Sequence, residues 1–332
     1  MRTYFDPRQL LHAPATELHN GAFAAHAETP ARAHSILAAV GAVTAPTDHG
    51  EAPLLAVHTP AYLTFLKTAY ADWHAEGRPG DAGAYAWPVV RRRPLDLERI
   101  DARLGRFSYD AATPIGPGTW DASYWNAQVA LSALGDTLAG DHAFALCRPP
   151  GHHAGADYCG GYCYLNNAAI AAAAARDAGR RVAVLDIDYH HGNGTQDIFY
   201  NDAAVFVASL HADPRTDYPF FWGHADETGE GEGEGATLNL PLPQGTAFAP
   251  YERALGLALE AIARHAPDLL VVSFGADTFA GDPISGFALQ TADYAPLARR
   301  IAGLGVPALI VMEGGYAVDA LGANVAEFLS GF

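Results

Sequence analysis

Four apolar runs in this sequence end in side chains that can move protons or hold a metal. AFALC (143–147) leads into RPPGHH, with His152 and His153, and RVAVL (181–185) leads into DIDYHH, with Asp186, Asp188, His190 and His191. DLLVVSFGA leads into Asp277, and PALIVMEGG leads into Tyr316. Charge left inside a core is costly unless it is paired or bound to a metal. In an extended segment, residues i, i+2 and i+4 share a face, so Asp186, Asp188 and His190 point one way, roughly 6.6 Å apart along the chain. Two adjacent members can converge on one ion at bond lengths of about 2 Å, and Asp277 from another strand can supply a third ligand. Three protein ligands and an open position mark a catalytic metal site; an oxygen-rich set leaves Fe(II), Co(II) or Mn(II) open beside zinc. His191 falls on the opposite face and reads as structural. Glycines such as Gly161, Gly275 and Gly314 flank these ends and permit close backbone approach.

Elements able to present these groups together are visible around them. AVFVASL (204–210) joins the four runs, and none of the five alternates cleanly with polar residues, as expected of parallel strands covered on both faces. Helical stretches lie between them at 166–179, 250–265 and 293–305, and Thr29-Pro30 and Thr59-Pro60 read as caps with a first-turn proline. This alternation predicts one α/β domain over residues 1–332 with a mostly parallel sheet, whose ligands bind beyond the carboxyl ends of the strands. Residues 77–120 read as a long loop insertion, and GEGEGEG (229–235) as a solvated turn.

The bulk properties narrow the function. Half of the 332 residues are hydrophobic and 17% are charged, which excludes a disordered chain. A net charge of -17 disfavours nucleic acid and anionic membranes. It suits a cationic substrate, and equally a merely soluble surface. Cys147, Cys159 and Cys163 are too few for a disulfide framework and lack the paired spacing of a structural zinc site. With no apolar signal core in MRTYFDPRQLLHAP, a soluble cytoplasmic protein is expected.

Taken together, RPPGHHA, GGYCYLNNAA, LDIDYHHGNGTQ, SFGADTFAGDP and MEGGY resemble the histone deacetylase family, in motif order, from about residue 17 to the C-terminus. ATELHNG (15–21), GPGTWDA (116–122) and ETGEGEGEGATLNLPL (227–242) are more similar to its bacterial acetylpolyamine amidohydrolases. The resemblance implies the arginase–deacetylase fold, a three-layer α/β/α domain with about eight strands. It implies one Zn²⁺ held by Asp188, His190 and Asp277, with Fe²⁺ or Co²⁺ as substitutes. His152, His153 and Tyr316 match the catalytic groups. A structural K⁺ would lie among Asp186, Asp188, His190, Ser209 and Leu210. Gly161 and Tyr162 match the acyl-chain tunnel, although Tyr162 reads almost as well as a core residue. The resembling enzymes dimerise through the long insertion, so a homodimer is expected; Arg91-Arg92-Arg93 within it has no functional account.

The implied reaction hydrolyses an acetylated polyamine or diamine to acetate and amine. Partners matching Asp186 and Asn193 stand behind His152 and His153. A carboxylate favours an imidazolium far more than a neutral amide does, so His153 should be the base and His152 the charge stabiliser. Glu17, and more weakly Asp121, are expected to attract the distal ammonium. A protein lysine deacetylase is the alternative. A binuclear manganese ureohydrolase lacks the carboxylates it needs, because Gly192 and Gly275 occupy those positions. A non-catalytic acetyl-amine-binding protein would not need His152, His153 and Tyr316 together.

Overall fold

The computed structural model describes residues 1–19, 21–88 and 97–332, so Arg91-Arg92-Arg93 lies outside the described residues. Among the described residues nine strands occur in chain order: β1 Arg2–Tyr4, β2 Thr16–His19, β3 Ala22–Ala25, β4 Ala143–Ala145, β5 Val182–Asp186, β6 Val205–Ala212, β7 Thr237–Leu242, β8 Leu269–Phe274 and β9 Ala308–Met312. Seven form one sheet in the order β1-β4-β9-β8-β5-β6-β7, every neighbouring pair parallel, while β2 and β3 pair as a separate antiparallel hairpin.

Every residue of β4, β5, β6, β8 and β9 is buried, which is why these strands read as continuous apolar runs. The period of two divides them between two cores. Val182 and Val184 pack with residues of the helices Pro60–Ala75, Thr119–Leu138 and Asn167–Asp177 on one face. Ala183 and Leu185 pack on the other with residues of Pro30–Val40, Phe248–His265, Tyr294–Ala302 and Val318–Leu329. The result is three layers, α/β/α. Threonine and proline open two helices as expected. Thr59 Oγ1 accepts from Tyr62 N at 3.3 Å, whereas the Thr29 side chain makes no cap bond.

Two expectations need correction. The main sheet has seven strands among the described residues, not about eight, and β1 and β7 were not foreseen. β1 is three residues long, and β7 is an edge strand whose Pro241 and half-exposed side chains hide the pattern. The 77–120 insertion is not all loop. Ile100–Phe107 is a helix burying Ile100 and Leu104, and Asp101 ties it back by ion pairs to Arg78 and Arg99. Two helical turns are too short a stretch for a clear period. Among the described residues, no helix is long and apolar enough to cross a membrane.

Candidate active site

β5, an interior strand between β8 and β6, brings the chemistry to one place. Its last residue, Asp186, sits in register with Ser209 of β6 and Ser273 of β8. Beyond it the chain carries Asp188 and His190 over the sheet edge, beside the segment that follows β8 and bears Asp277. His190 Nδ1 lies 3.4 Å from Asp188 Oδ1 and 3.1 Å from Asp277 Oδ2. Ligand atoms from the three residues all fall within 4.8 Å of one another. Backbone amides orient the carboxylates: Gly314 N donates to Asp188 Oδ2 at 2.8 Å and Tyr189 N to Asp277 Oδ1 at 3.0 Å. Glycine is required around them. A Cβ on Gly275 would come within 2.0 Å of Asp188 Oδ2, and one on Gly314 within 2.4 Å of Asp277 Oδ2.

Two wholly buried carboxylates meet here, and the electrostatics are those of a place short of positive charge. Burial, then the Asp188 charge, push Asp277 up to about 7. Burial opposes ionisation of Asp188 too, but His152 and His190 outweigh it and hold it well below the usual carboxylate range. His190 rises to about 10, because its bonds to Asp188 and Asp277 exceed the burial that would lower it. A divalent cation matches both this charge and this nitrogen-and-oxygen donor set.

His152 and His153 lie side by side next to the cluster, ring centroids 4.1 Å apart and planes tilted by 46°, and have unlike partners. His152 Nδ1 is 2.9 Å from Asp186 Oδ2, and His153 Nδ1 is 2.7 Å from Asn193 Oδ1. Burial depresses both rings, but the charges of Asp186 and Asp188 reverse this for His152 and carry it up to about 10. His153 is held well below the ordinary imidazole value by burial and by the neighbouring charges of His152 and His190. Tyr316 faces the same space. Its backbone N donates to Asp282 Oδ2 at 2.6 Å, and burial raises its phenol far enough to stay protonated across the working range.

His153, His190 and Tyr316 share a cavity of about 150 Å³ that is lined also by Gly161, Tyr162, Tyr218, Ile284, Ala112, His19, Asp110 and Asp217. Tyr162 takes φ 65°, a left-handed conformation costing about 1–3 kcal/mol in a non-glycine residue. A Cβ on Gly161 would stand 2.2 Å from His153 Cδ2. A larger hollow of about 610 Å³ around Arg2 and His142 holds none of these groups.

The remaining sequence candidates scatter. Glu17 is 6% exposed and stands behind the cavity wall rather than in it, its Oε1 accepting from Tyr162 Oη at 2.9 Å. Asp121 is exposed in the first turn of Thr119–Leu138, within reach of the Arg8 charge. Ser209 Oγ is 2.8 Å from His211 Nδ1, and Leu210 is wholly buried beside it. His191 packs on His211 and meets Asn239 Oδ1 at 3.2 Å, away from the ligand set. Sequence reasoning missed Asp110 and Asp217, which line the cavity from loops without periodicity. Glu313, the buried carboxylate directly after β9, was findable by the strand-end logic that located Asp188.

A family described as "Histone deacetylase domain" matches residues 26–332. Acetylpolyamine amidohydrolase 1 of Pseudomonas aeruginosa is 50% identical over 342 residues, spanning 100% of this chain and 99% of the relative. The acetylpolyamine amidohydrolase of Mycoplana ramosa is 47% identical over 339 residues, spanning 100% and 99%. A crystal structure of acetylpolyamine aminohydrolase from Burkholderia pseudomallei superimposes with a TM-score of 0.96 at 44% identity, over 100% of this chain and 98% of that one.

Proposed function

We propose, for a chain that belongs to the histone deacetylase domain family, the hydrolysis of N-acetylated polyamines or diamines to acetate and free amine by a single catalytic domain. One observation carries the chemistry: two adjacent buried imidazoles with opposite charge preferences, His153 of them lining the cavity, lie beside a three-residue metal-ligand set. Enzymes of this family are metal-dependent. Asp188, His190 and Asp277 would hold Zn²⁺, with Fe²⁺ or Co²⁺ as substitutes, and when bound it supplies polarisation of the acetyl carbonyl and a water of lowered pKa. Structural K⁺ is assigned to the loop of Asp186, Asp188 and His190 with Ser209 and Leu210.

His153 donates from Nδ1 to a neutral amide oxygen only, so its Nε2 stays unprotonated near neutrality and takes a proton from the attacking water. As the new C–O bond forms, Tyr316 Oη donates to the carbonyl oxygen and stabilises its developing charge. His152, kept as imidazolium by Asp186, stabilises the same charge. The amide C–N bond then breaks, and His153 returns the proton to the leaving amine.

The polyamine substrate is supported by the names of the full-length relatives and by the acidic cavity wall. Asp110 and Asp217 line the cavity and would draw in a distal ammonium. Glu17 adds negative charge from behind Tyr162, and Asp121 has no place in this reading. Further parts of the proposal are a homodimer through the 77–120 insertion and residence in the cytoplasm. The test compares kcat/KM of the zinc-loaded enzyme for N-acetylputrescine, N-acetylcadaverine and N-acetylspermidine with that for an acetyl-lysine peptide. Clear preference for the amines is expected. Preference for the peptide overturns the substrate while leaving the deacetylase chemistry standing.

A further inference from the structure

Glu313 has one oxygen explained and one not. Its Oε2 accepts from Gly151 N at 2.6 Å and His152 N at 3.2 Å, while its Oε1 is buried with no hydrogen-bond partner. An unpartnered carboxylate oxygen in the core is costly, and the proposed reaction gives Glu313 no task. Cys163 lies close by, wholly buried, its Sγ directed at Gly161 O at 3.3 Å. β4 and β9 are neighbours, which brings Glu313 against the turn bearing His152. Donor atoms of His152, Cys163 and Glu313 all lie within 4.8 Å of one another, the same bound met by Asp188, His190 and Asp277.

We propose that His152, Cys163 and Glu313 form a second divalent-metal site, and that a cation bound there inhibits the enzyme by occupying His152. Thiolate, imidazole and carboxylate select Zn²⁺ or Co²⁺ over Mg²⁺ or Ca²⁺, which favour all-oxygen sets. Binding forms an S–metal bond and breaks the Cys163 S–H bond, releasing that proton to solvent with any proton held by Glu313 or His152; no electron is transferred. His152 Nδ1 is engaged by Asp186 Oδ2 at 2.9 Å and Cys163 Sγ by Gly161 O, contacts that a bound ion must loosen, so the site fills after the Asp188–His190–Asp277 set, as a second equivalent. The inhibitory half rests on the role given to His152 above; the binding half does not.

Cobalt separates the two sites, because only the second contains sulfur. Metal-stripped enzyme is titrated with Co²⁺ while optical absorption and acetate release are followed. The first equivalent is expected to restore activity without a thiolate-to-cobalt charge-transfer band. The second should bring in that near-ultraviolet band and lower activity about tenfold or more. Cys163→Ala should keep the first-equivalent activity, show no band, and weaken the second equivalent by at least about 10–100-fold, as loss of a metal-supporting group does. Glu313→Gln should weaken the band's appearance without moving the first equivalent. Absence of the band at two equivalents, or its persistence in Cys163→Ala, overturns the site. A band with undiminished activity overturns the inhibition. A band in a protein that releases no acetate at any equivalent overturns the proposed function while the metal site stands.

Discussion

Replacing Asn193 with Asp changes the charge behind one histidine while leaving its geometry nearly untouched. The side chains are almost isosteric, and Asn193 Oδ1 already sits 2.7 Å from His153 Nδ1. A carboxylate and an imidazolium about 4 Å apart attract by about 4 kcal/mol at an effective dielectric of 20, which would raise the imidazole pKa by about 3. The burial penalty on the new carboxylate trims that rise to about 1–3. His152 is an internal control: equally buried, and backed by Asp186 at 2.9 Å, it rises to about 10 where His153 falls well below its ordinary value. The base works only when Nε2 is unprotonated, so a raised pKa moves the acidic limb of kcat/KM upward. Below that limb the variant loses about tenfold for every pH unit by which the limb has moved. Above it, activity should recover to within severalfold of wild type, because the stronger base offsets its lower free fraction. The assay is the pH profile of kcat/KM for N-acetylputrescine with one equivalent of zinc loaded, metal content being measured at each pH. An acidic limb that stays in place, or moves down, in a folded and metal-replete Asn193→Asp protein refutes the assignment of His153 as base.

Tyr316→Phe should lower kcat by about 10²–10³ with little change in KM, as loss of one oxyanion donor does; steady-state kinetics decide it. Gly161→Ala forces a Cβ within 2.2 Å of His153 Cδ2 at φ 54°, so activity should collapse while the sheet stays folded by circular dichroism. Phe328→Ala, which removes a ring stacked 3.9 Å from Phe274 in the core, should cost about 3–5 kcal/mol in denaturant unfolding and leave the KM of surviving folded enzyme unchanged.

Legibility in the sequence follows the physics of each part. Central strands are buried on both faces, so β5, β8 and β9 read as apolar runs, and charge at their ends could only be functional or paired. That one argument leads to Asp188, His190 and Asp277, whose donor atoms cluster in space. Edge strands and short helices lack such a signal, which hides β7 and Ile100–Phe107. Specificity groups are least legible. Glu17 is placed near the tunnel mouth by resemblance alone, and in the structure it is buried and accepts from Tyr162 Oη, because a hairpin residue's direction depends on docking and not on period. Asp110 and Asp217 reach the cavity from irregular backbone, which no local pattern announces. Glu313 ends β9 much as Asp188 follows β5, yet the glycines and tyrosine directly after it are the stronger signal in MEGGY and mask it.

Metal-dependent hydrolysis of an acetylated amine is decided by measuring acetate and free amine released from N-acetylputrescine. The protein is stripped of metal, then reloaded with one equivalent of Zn²⁺, alongside Asp277→Asn treated identically. The stripped protein should give no product, one equivalent should restore equimolar acetate and amine, and the variant should give little or none. Equal turnover by stripped and reloaded protein, or by Asp277→Asn and wild type, would contradict a metal-dependent reaction at Asp188, His190 and Asp277.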